Sequence, residues 1–120
     1  MVVPIIKNAD EKSINELAQE LTSLSGKARD KKILPSDMEG GCFTISSLGG
    51  IGGTYFTPIV NPPEVAILGV SRSTAEPVFI EGKFRKRLIL PFSLSYDHRV
   101  IDGADSARFT TRFGQYLSNL

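Results

Sequence analysis

The sequence has one cysteine, one histidine and no tryptophan. A single cysteine excludes an internal disulfide, and a single histidine leaves too few strong ligands for a zinc site. No apolar run is long enough to cross a membrane as a helix. Basic and acidic residues nearly balance, with a formal net charge of +1, which disfavours binding to nucleic acid or to an anionic membrane. We therefore predict no metal, no nucleic-acid partner, no membrane partner and a cytoplasmic location.

What is present is the composition of an ordinary globular protein. The chain has 120 residues, of which 41% are hydrophobic and 22% are charged. That length predicts one domain with a real core. The first residues lack the basic flank and the cleavage site of a secretory signal, so we do not expect one.

Hydrophobic periodicity predicts an α/β fold with helices packed on a mixed sheet. Ser13 and Glu16 fit a capping box at the start of the first helix, and Glu81-Gly82 fits a tight hairpin turn. The predicted elements are a strand at residues 2–6, a helix at 13–31, a strand at 42–48, an irregular stretch at 49–63, a central strand at 64–70, a hairpin around 81–82, a long strand at 85–96 and a helix at 102–117.

Two features have a structural and a functional interpretation. Cys42 follows two glycines into a predicted strand and has no histidine near it in sequence, which favours a small buried residue over a nucleophile. The glycine-rich stretch 49–63 lacks the lysine-hydroxyl pair of a phosphate-binding loop. Its length alone suggests a functional connection.

The sole histidine, His98, lies in the stretch Ser-Tyr-Asp-His-Arg-Val-Ile-Asp-Gly at residues 95–103. A strand-like run precedes it and a helix-like run follows, which places it at a corner where an imidazole can serve as a general base. Taken alone, it could also be a surface residue, and Asp102 could be a helix N-cap. A metal site formed by these two residues would lack further ligands.

This stretch resembles the active-site signature of the dihydrolipoyl acyltransferases, the core enzymes of the 2-oxo acid dehydrogenase complexes. Their fold is similar to that of chloramphenicol acetyltransferase, which shares the HxxxD pattern. Residues 41–49 and 56–69 resemble the same family in the same order, most closely its acetyl-transferring, pyruvate dehydrogenase branch. The resemblance implies a coenzyme A-dependent acyltransferase fold. It also implies that residues 1–120 are the C-terminal part of a catalytic domain about twice as long.

The resemblance also implies a role for each site residue. His98 would take the proton from the thiol of coenzyme A or of dihydrolipoamide, the two substrates. Ser46 would donate a hydrogen bond to the oxyanion, with Ser47 as the alternative if the strand register differs by one. Asp102 would orient the region, and Asp97 and Arg99 are interpreted as an ion pair.

The family assembles trimers into larger cores, with each active site between two subunits, the histidine from one and the serine from the other. The resemblance therefore implies that Ser46 and His98 need not meet within one chain. By resemblance, the partners are further copies of the chain and the pyruvate dehydrogenase and dihydrolipoamide dehydrogenase components. Two alternatives remain. The chain could be an inactive truncated fragment that acts only as a folding and oligomerisation module. A serine hydrolase is the other, although the sequence lacks its GxSxG elbow.

Overall fold

The first helix, α1 (Ile14–Arg29), begins at the predicted capping box. The Ser13 hydroxyl accepts the Glu16 backbone N–H at 3.3 Å, and the Glu16 carboxylate accepts the Ser13 N–H at 2.7 Å. Hydrogen bonding to the Glu16 carboxyl from the Ser13 backbone, then from the Ser13 side chain, lowers the pKa of Glu16. The helix ends two residues earlier than predicted, and Lys31 just beyond it has a left-handed φ of 56°.

The computed structural model describes all 120 residues, which form two units, residues 1–42 and 43–120. In the first unit, the strand predicted at residues 2–6 is wrong, because this extended segment joins no sheet. Its backbone is tied to a short 3-10 turn instead, where the Ile5 N–H donates to the Asp37 carbonyl at 2.8 Å. The prediction that Cys42 is buried is also wrong, since this residue is exposed ahead of the next strand.

The second unit contains five strands and a helix. They are β1 (Thr44–Ser47), β2 (Ala66–Val70), β3 (Thr74–Ile80), β4 (Lys83–Ile89), β5 (Phe92–Tyr96) and α2 (Gly103–Ser118). The predicted central strand is confirmed: β2 lies between β1, which runs parallel to it, and β5, which runs antiparallel. The unit is therefore a mixed α/β structure, as predicted, with Ala66, Ile67 and Leu68 buried in the central strand.

The predicted hairpin forms a separate two-stranded sheet of β3 and β4. Its turn residues Glu81 and Gly82 have φ values of 51° and 79°, the left-handed pair that a two-residue hairpin turn requires. The single long strand predicted at residues 85–96 is wrong. The chain breaks at Leu90 and Pro91, because proline has no N–H to continue a ladder, and β4 and β5 belong to different sheets.

The two faces of the three-stranded sheet differ in chemistry. One face carries apolar side chains and is covered by α2, whose Phe113 ring meets Phe92 edge-on at 5.0 Å between centroids. Register places the intervening residues on the opposite face, because side chains alternate along a strand. That face carries mainly small and hydroxyl side chains, from Thr44, Ser46, Ile67, Gly69, Ser93 and Ser95.

The irregular stretch between β1 and β2 covers part of this second face. A Cβ atom at Gly69 would lie 2.9 Å from the Phe56 ring and 3.1 Å from the Pro58 ring. Because Gly69 pairs with Ser46 in the sheet, this contact lies on the strand next to the residue predicted to act on substrate.

We predict that Gly69→Ala destabilises the protein by about 1–3 kcal/mol, the usual cost of forcing an extra methyl group into a packed contact. The measurement is urea unfolding followed by circular dichroism. Gly114→Ala is the matched control. A Cβ at this α2 position meets nothing within 4 Å, so alanine should stabilise the helix by about 0.5–1 kcal/mol. A Gly69→Ala variant as stable as the parent would contradict the packing described here.

Candidate active site

His98 lies in the turn between β5 and α2, as the sequence predicts. Strand β5 ends at Tyr96, and α2 begins after its N-cap residue Asp102. The histidine is exposed, and its imidazole lies beside the Tyr96 ring with 5.5 Å between centroids. This tyrosine contact was not predicted, although its position two residues before His98 is visible in the sequence.

The backbone of Asp97 connects this turn to the sheet. Its N–H donates to the Val65 carbonyl at 2.8 Å, just ahead of the central strand. Its carbonyl accepts the N–H groups of Val100 and Ile101, both at 3.0 Å. The residues before and after His98 are therefore hydrogen-bonded to one another, and Asp97 is hydrogen-bonded to the residue just ahead of β2.

The predicted ion pair between Asp97 and Arg99 is confirmed. One carboxylate oxygen of Asp97 accepts the Arg99 backbone N–H at 3.0 Å and Nε–H at 2.9 Å, and the other accepts Nη2–H at 2.7 Å. Hydrogen bonds from the Arg99 side chain, then from its backbone, lower the pKa of Asp97 to about 2. The pair raises the pKa of Arg99. The carboxylate therefore stays ionised throughout the pH range in which imidazoles titrate.

Asp102 acts as a helix cap. Its Oδ1 accepts the Asp105 backbone N–H at 2.8 Å, which satisfies one of the free donors at the start of α2. No ion pair joins Asp102 to His98. In this geometry Asp102 can fix where α2 begins, and thereby the end of the turn that carries the histidine.

Ser46 lies on the edge strand β1, half-buried, on the face opposite α2. Ser47, the alternative, is on the other face, and its hydroxyl accepts the Gly49 N–H at 3.4 Å. On the same face as Ser46, the Thr44 hydroxyl lies 2.9 and 3.0 Å from the two carboxylate oxygens of Glu64. The two hydroxyls therefore lie on opposite faces of the sheet, and both retain an O–H to donate.

Ser46 and His98 do not meet within one chain. They extend from the two outer strands, and the register places the Cα atoms of Ser46 and Asp97 about 16 Å apart across the sheet. The imidazole lies beside Tyr96, which register places on the face covered by α2, whereas the Ser46 hydroxyl is on the other face. A site that uses both residues needs them from two copies of the chain.

No group of three or more histidine, cysteine, aspartate or glutamate side chains is arranged to hold a metal ion. Neither helix is both long enough and apolar enough to span a membrane.

Comparison with known proteins places these residues in a family. The family model for the 2-oxoacid dehydrogenases acyltransferase (catalytic domain) matches residues 1–120. The chain is 62% identical over 120 residues to the dihydrolipoyllysine-residue acetyltransferase component of the pyruvate dehydrogenase complex of Haemophilus influenzae, and covers 21% of that protein. It is 60% identical over 119 residues to the component of the same name in Cupriavidus necator, covering 99% of this chain and 22% of that protein.

Solved structures agree on the fold. The chain superposes on the dihydrolipoamide acetyltransferase of Azotobacter vinelandii with a TM-score of 0.95 and 61% identity, over 97% of this chain and 48% of that one. The cubic core of a pyruvate dehydrogenase multienzyme complex gives a TM-score of 0.95 and 60% identity, with the same coverage. The predicted acyltransferase fold class is thus confirmed. The chain spans about a fifth of the curated relatives and about half of these solved chains.

The Azotobacter vinelandii structure belongs to an investigation of a serine, a histidine and an asparagine in the catalytic mechanism of that enzyme. The spacing of those three residues equals the spacing of Ser46, His98 and Asp102 in this chain. An aspartate stands here where the spacing places the asparagine. Because the family model extends over the whole sequence, this chain belongs to the 2-oxoacid dehydrogenase acyltransferase catalytic-domain family.

Proposed function

We propose that residues 1–120 form the C-terminal part of a dihydrolipoyllysine-residue acetyltransferase catalytic domain. The reaction is transfer of an acetyl group between dihydrolipoamide and coenzyme A in a pyruvate dehydrogenase complex. The observation that carries the proposal is the sole histidine, His98, exposed at a strand-to-helix turn with the spacing to Ser46 and Asp102 described above. The resemblance of the whole chain to acetyltransferases at about 60% identity supports the acetyl branch.

The acceptor of the acetyl group is a thiol, and the proposed chemistry follows from the properties of that thiol. A free thiol has a pKa near ~8.5 and a free imidazole near ~6.5, so a neutral imidazole can assist removal of the thiol proton as the new S–C bond forms. The thiolate sulfur attacks the carbonyl carbon of the thioester, and an oxyanion develops on the carbonyl oxygen. When this intermediate collapses, the S–C bond to the donor breaks, and His98 returns the proton to the departing sulfur. No acyl-enzyme is needed, because the acceptor thiolate is itself a good nucleophile.

Ser46 is proposed as the oxyanion donor. One preorganised donor of this kind contributes roughly 2.7–4 kcal/mol to transition-state stabilisation. Asp102 is proposed to act indirectly, by capping α2 behind the turn of His98. An asparagine in this position can also accept the helix N–H, which is consistent with the residue found in the Azotobacter vinelandii enzyme.

Self-association is proposed to complete the site. Ser46 and His98 are separated within one chain, so a trimer or a higher assembly must supply the second residue. Exposed apolar side chains support such contacts: on the β3–β4 hairpin, Phe79, Phe84 and Leu88 are 64–75% exposed. A two-stranded sheet is only marginally stable without a packing partner. The solved cubic core is an assembly of this kind in a related enzyme.

We also propose two partner components of the complex, on the basis of the family resemblance. They are the pyruvate dehydrogenase and dihydrolipoamide dehydrogenase components, reached through the parent protein. The named relatives are bacterial, and we propose a bacterial cytoplasmic location. We propose no metal in the transfer chemistry, because proton transfer and oxyanion binding are both supplied by side chains.

The test is acetyl transfer by the purified chain. Acetyl-CoA and dihydrolipoamide are supplied, and free coenzyme A and S-acetyldihydrolipoamide are separated by chromatography. The proposal expects saturable formation of both products, together with an assembly larger than a monomer in light scattering. A folded chain without transfer at any concentration would overturn the proposal for this chain, in favour of a folding and oligomerisation module.

A further inference from the structure

We infer that Asp97 is a positioning residue for His98. Together with Arg99 it fixes the backbone on both sides of the histidine, so that the imidazole keeps the orientation needed for proton transfer. This rests on the proposed role of His98 as the base.

All six hydrogen bonds of residues 97–101 begin or end at Asp97, and the Asp102 cap fixes only the far end of the turn. The Asp97 N–H reaches back to Val65 beside the central strand, and its carbonyl accepts two N–H groups beyond the histidine. Its carboxylate accepts three further donors, all from Arg99. None of these bonds reaches the imidazole itself, so the orientation of His98 depends on the backbone that they fix and on the Tyr96 ring beside it.

The Arg99 side chain lies on the solvent side of the turn. It is 89% exposed, whereas the Asp97 side chain is 22% exposed. An ion pair with one partner so open to solvent contributes little to global stability. Its two-point contact between guanidinium and carboxylate nevertheless has a defined geometry. The pair is therefore suited to fixing local conformation, and its loss should leave the fold intact.

The sole histidine makes the test direct, because its imidazole gives one Cε1–H resonance in the NMR spectrum. We expect Asp97→Ala to increase the fast motion of that C–H group in ¹³C relaxation. We also expect kcat for acetyl transfer to fall roughly 10- to 100-fold at nearly constant KM, since small displacements of a catalytic group have effects of this size. Asp97→Asn keeps an acceptor for the Arg99 N–H and should show an intermediate effect.

Asp105→Ala is the matched control. It removes the other aspartate–arginine ion pair of this region, Asp105 with Arg108 at 2.7 Å, with the same change in charge. This control should leave the His98 resonance and kcat unchanged. If Asp97→Ala does not fold, Arg99→Gln serves instead, because it retains the carboxylate and the backbone N–H and removes only the guanidinium contacts.

The inference is overturned if folded Asp97→Ala, or Arg99→Gln in its place, matches the parent in imidazole relaxation and in kcat. It is also overturned if Asp105→Ala changes the imidazole relaxation and kcat as much as Asp97→Ala does. A parent chain without acetyl transfer would refute the proposed function alone. The relaxation measurement would then still show whether Asp97 immobilises the histidine, so the two failures can be told apart.

Discussion

Replacing His98 by glutamine is expected to lower the rate of acetyl transfer by about 10²–10⁴-fold, the usual contribution of a positioned general base. Glutamine occupies a similar volume and can still make hydrogen bonds, but it cannot accept a proton at neutral pH. The sequence has no second histidine that could take over. The loss should appear in kcat, with KM for acetyl-CoA nearly unchanged, because the base acts mainly in the transition state.

The variant should remain folded. His98 is exposed, and its ring contact with Tyr96 is the only aromatic contact that the substitution removes. Circular dichroism and light scattering on the same preparation check the fold and the assembly. Asp105→Ala is a suitable control, since the Asp105 carboxylate pairs with Arg108 on α2 and the variant should retain nearly full activity. A His98→Gln variant within a few-fold of the parent would remove His98 from the mechanism.

Much of the local structure follows from short-range chemistry, which explains why the sequence predicts it. The capping box at Ser13, the hairpin turn at Glu81-Gly82 and the cap at Asp102 each depend on residues within four positions of one another. The ion pair of Asp97 and Arg99 is of the same kind. Such contacts are determined by backbone geometry and side-chain type alone.

The wrong predictions concern pairing, which is not local. Residues 2–6 have the composition of a strand but find no partner strand, so they remain extended without a ladder. Residues 85–96 keep an alternating pattern through Pro91, yet the two halves pair with different strands. Periodicity indicates which face of a strand is apolar. Which strand pairs with it, and which element covers that face, depends on contacts between residues far apart in the sequence.

The arrangement of the site also depends on long-range pairing, which the local sequence does not show. The sequence pattern alone points to His98 and Asp102, and the resemblance adds Ser46 and implies the roles of all three. The resemblance already implies that Ser46 and His98 come from different subunits. Their separation within one chain is visible only from strand order and register, because Ser46 lies on β1 and His98 follows β5, on either side of β2. The contact of Phe56 and Pro58 with Gly69 was likewise invisible, since glycine has no side chain to signal packing.

The separation of Ser46 from His98 leads to a second prediction with a large expected effect on the rate of acetyl transfer. Ser46→Ala alone is expected to lower kcat by about 10²–10³-fold, as for loss of one oxyanion donor. Yet coexpression of Ser46→Ala chains with His98→Gln chains should restore activity. In a mixed assembly, some sites receive His98 from one copy and Ser46 from its neighbour. For random mixing at equal amounts, about a quarter of the sites between symmetric neighbours are intact.

The measurement compares each variant alone with the coexpressed mixture, purified through different tags on the two chains. Mixing the two variants after separate purification, under conditions where assemblies do not exchange subunits, should give no recovery. Recovery to about a quarter of the parent rate in large cores, or about a third in trimers that carry both tags, limited to coexpressed assemblies, would establish that the site is shared between copies. If coexpression restores nothing although both chains are present and each variant is folded, then Ser46 and His98 do not form one site across copies. The geometry of a single chain also keeps them apart, so a different residue would have to hold the oxyanion.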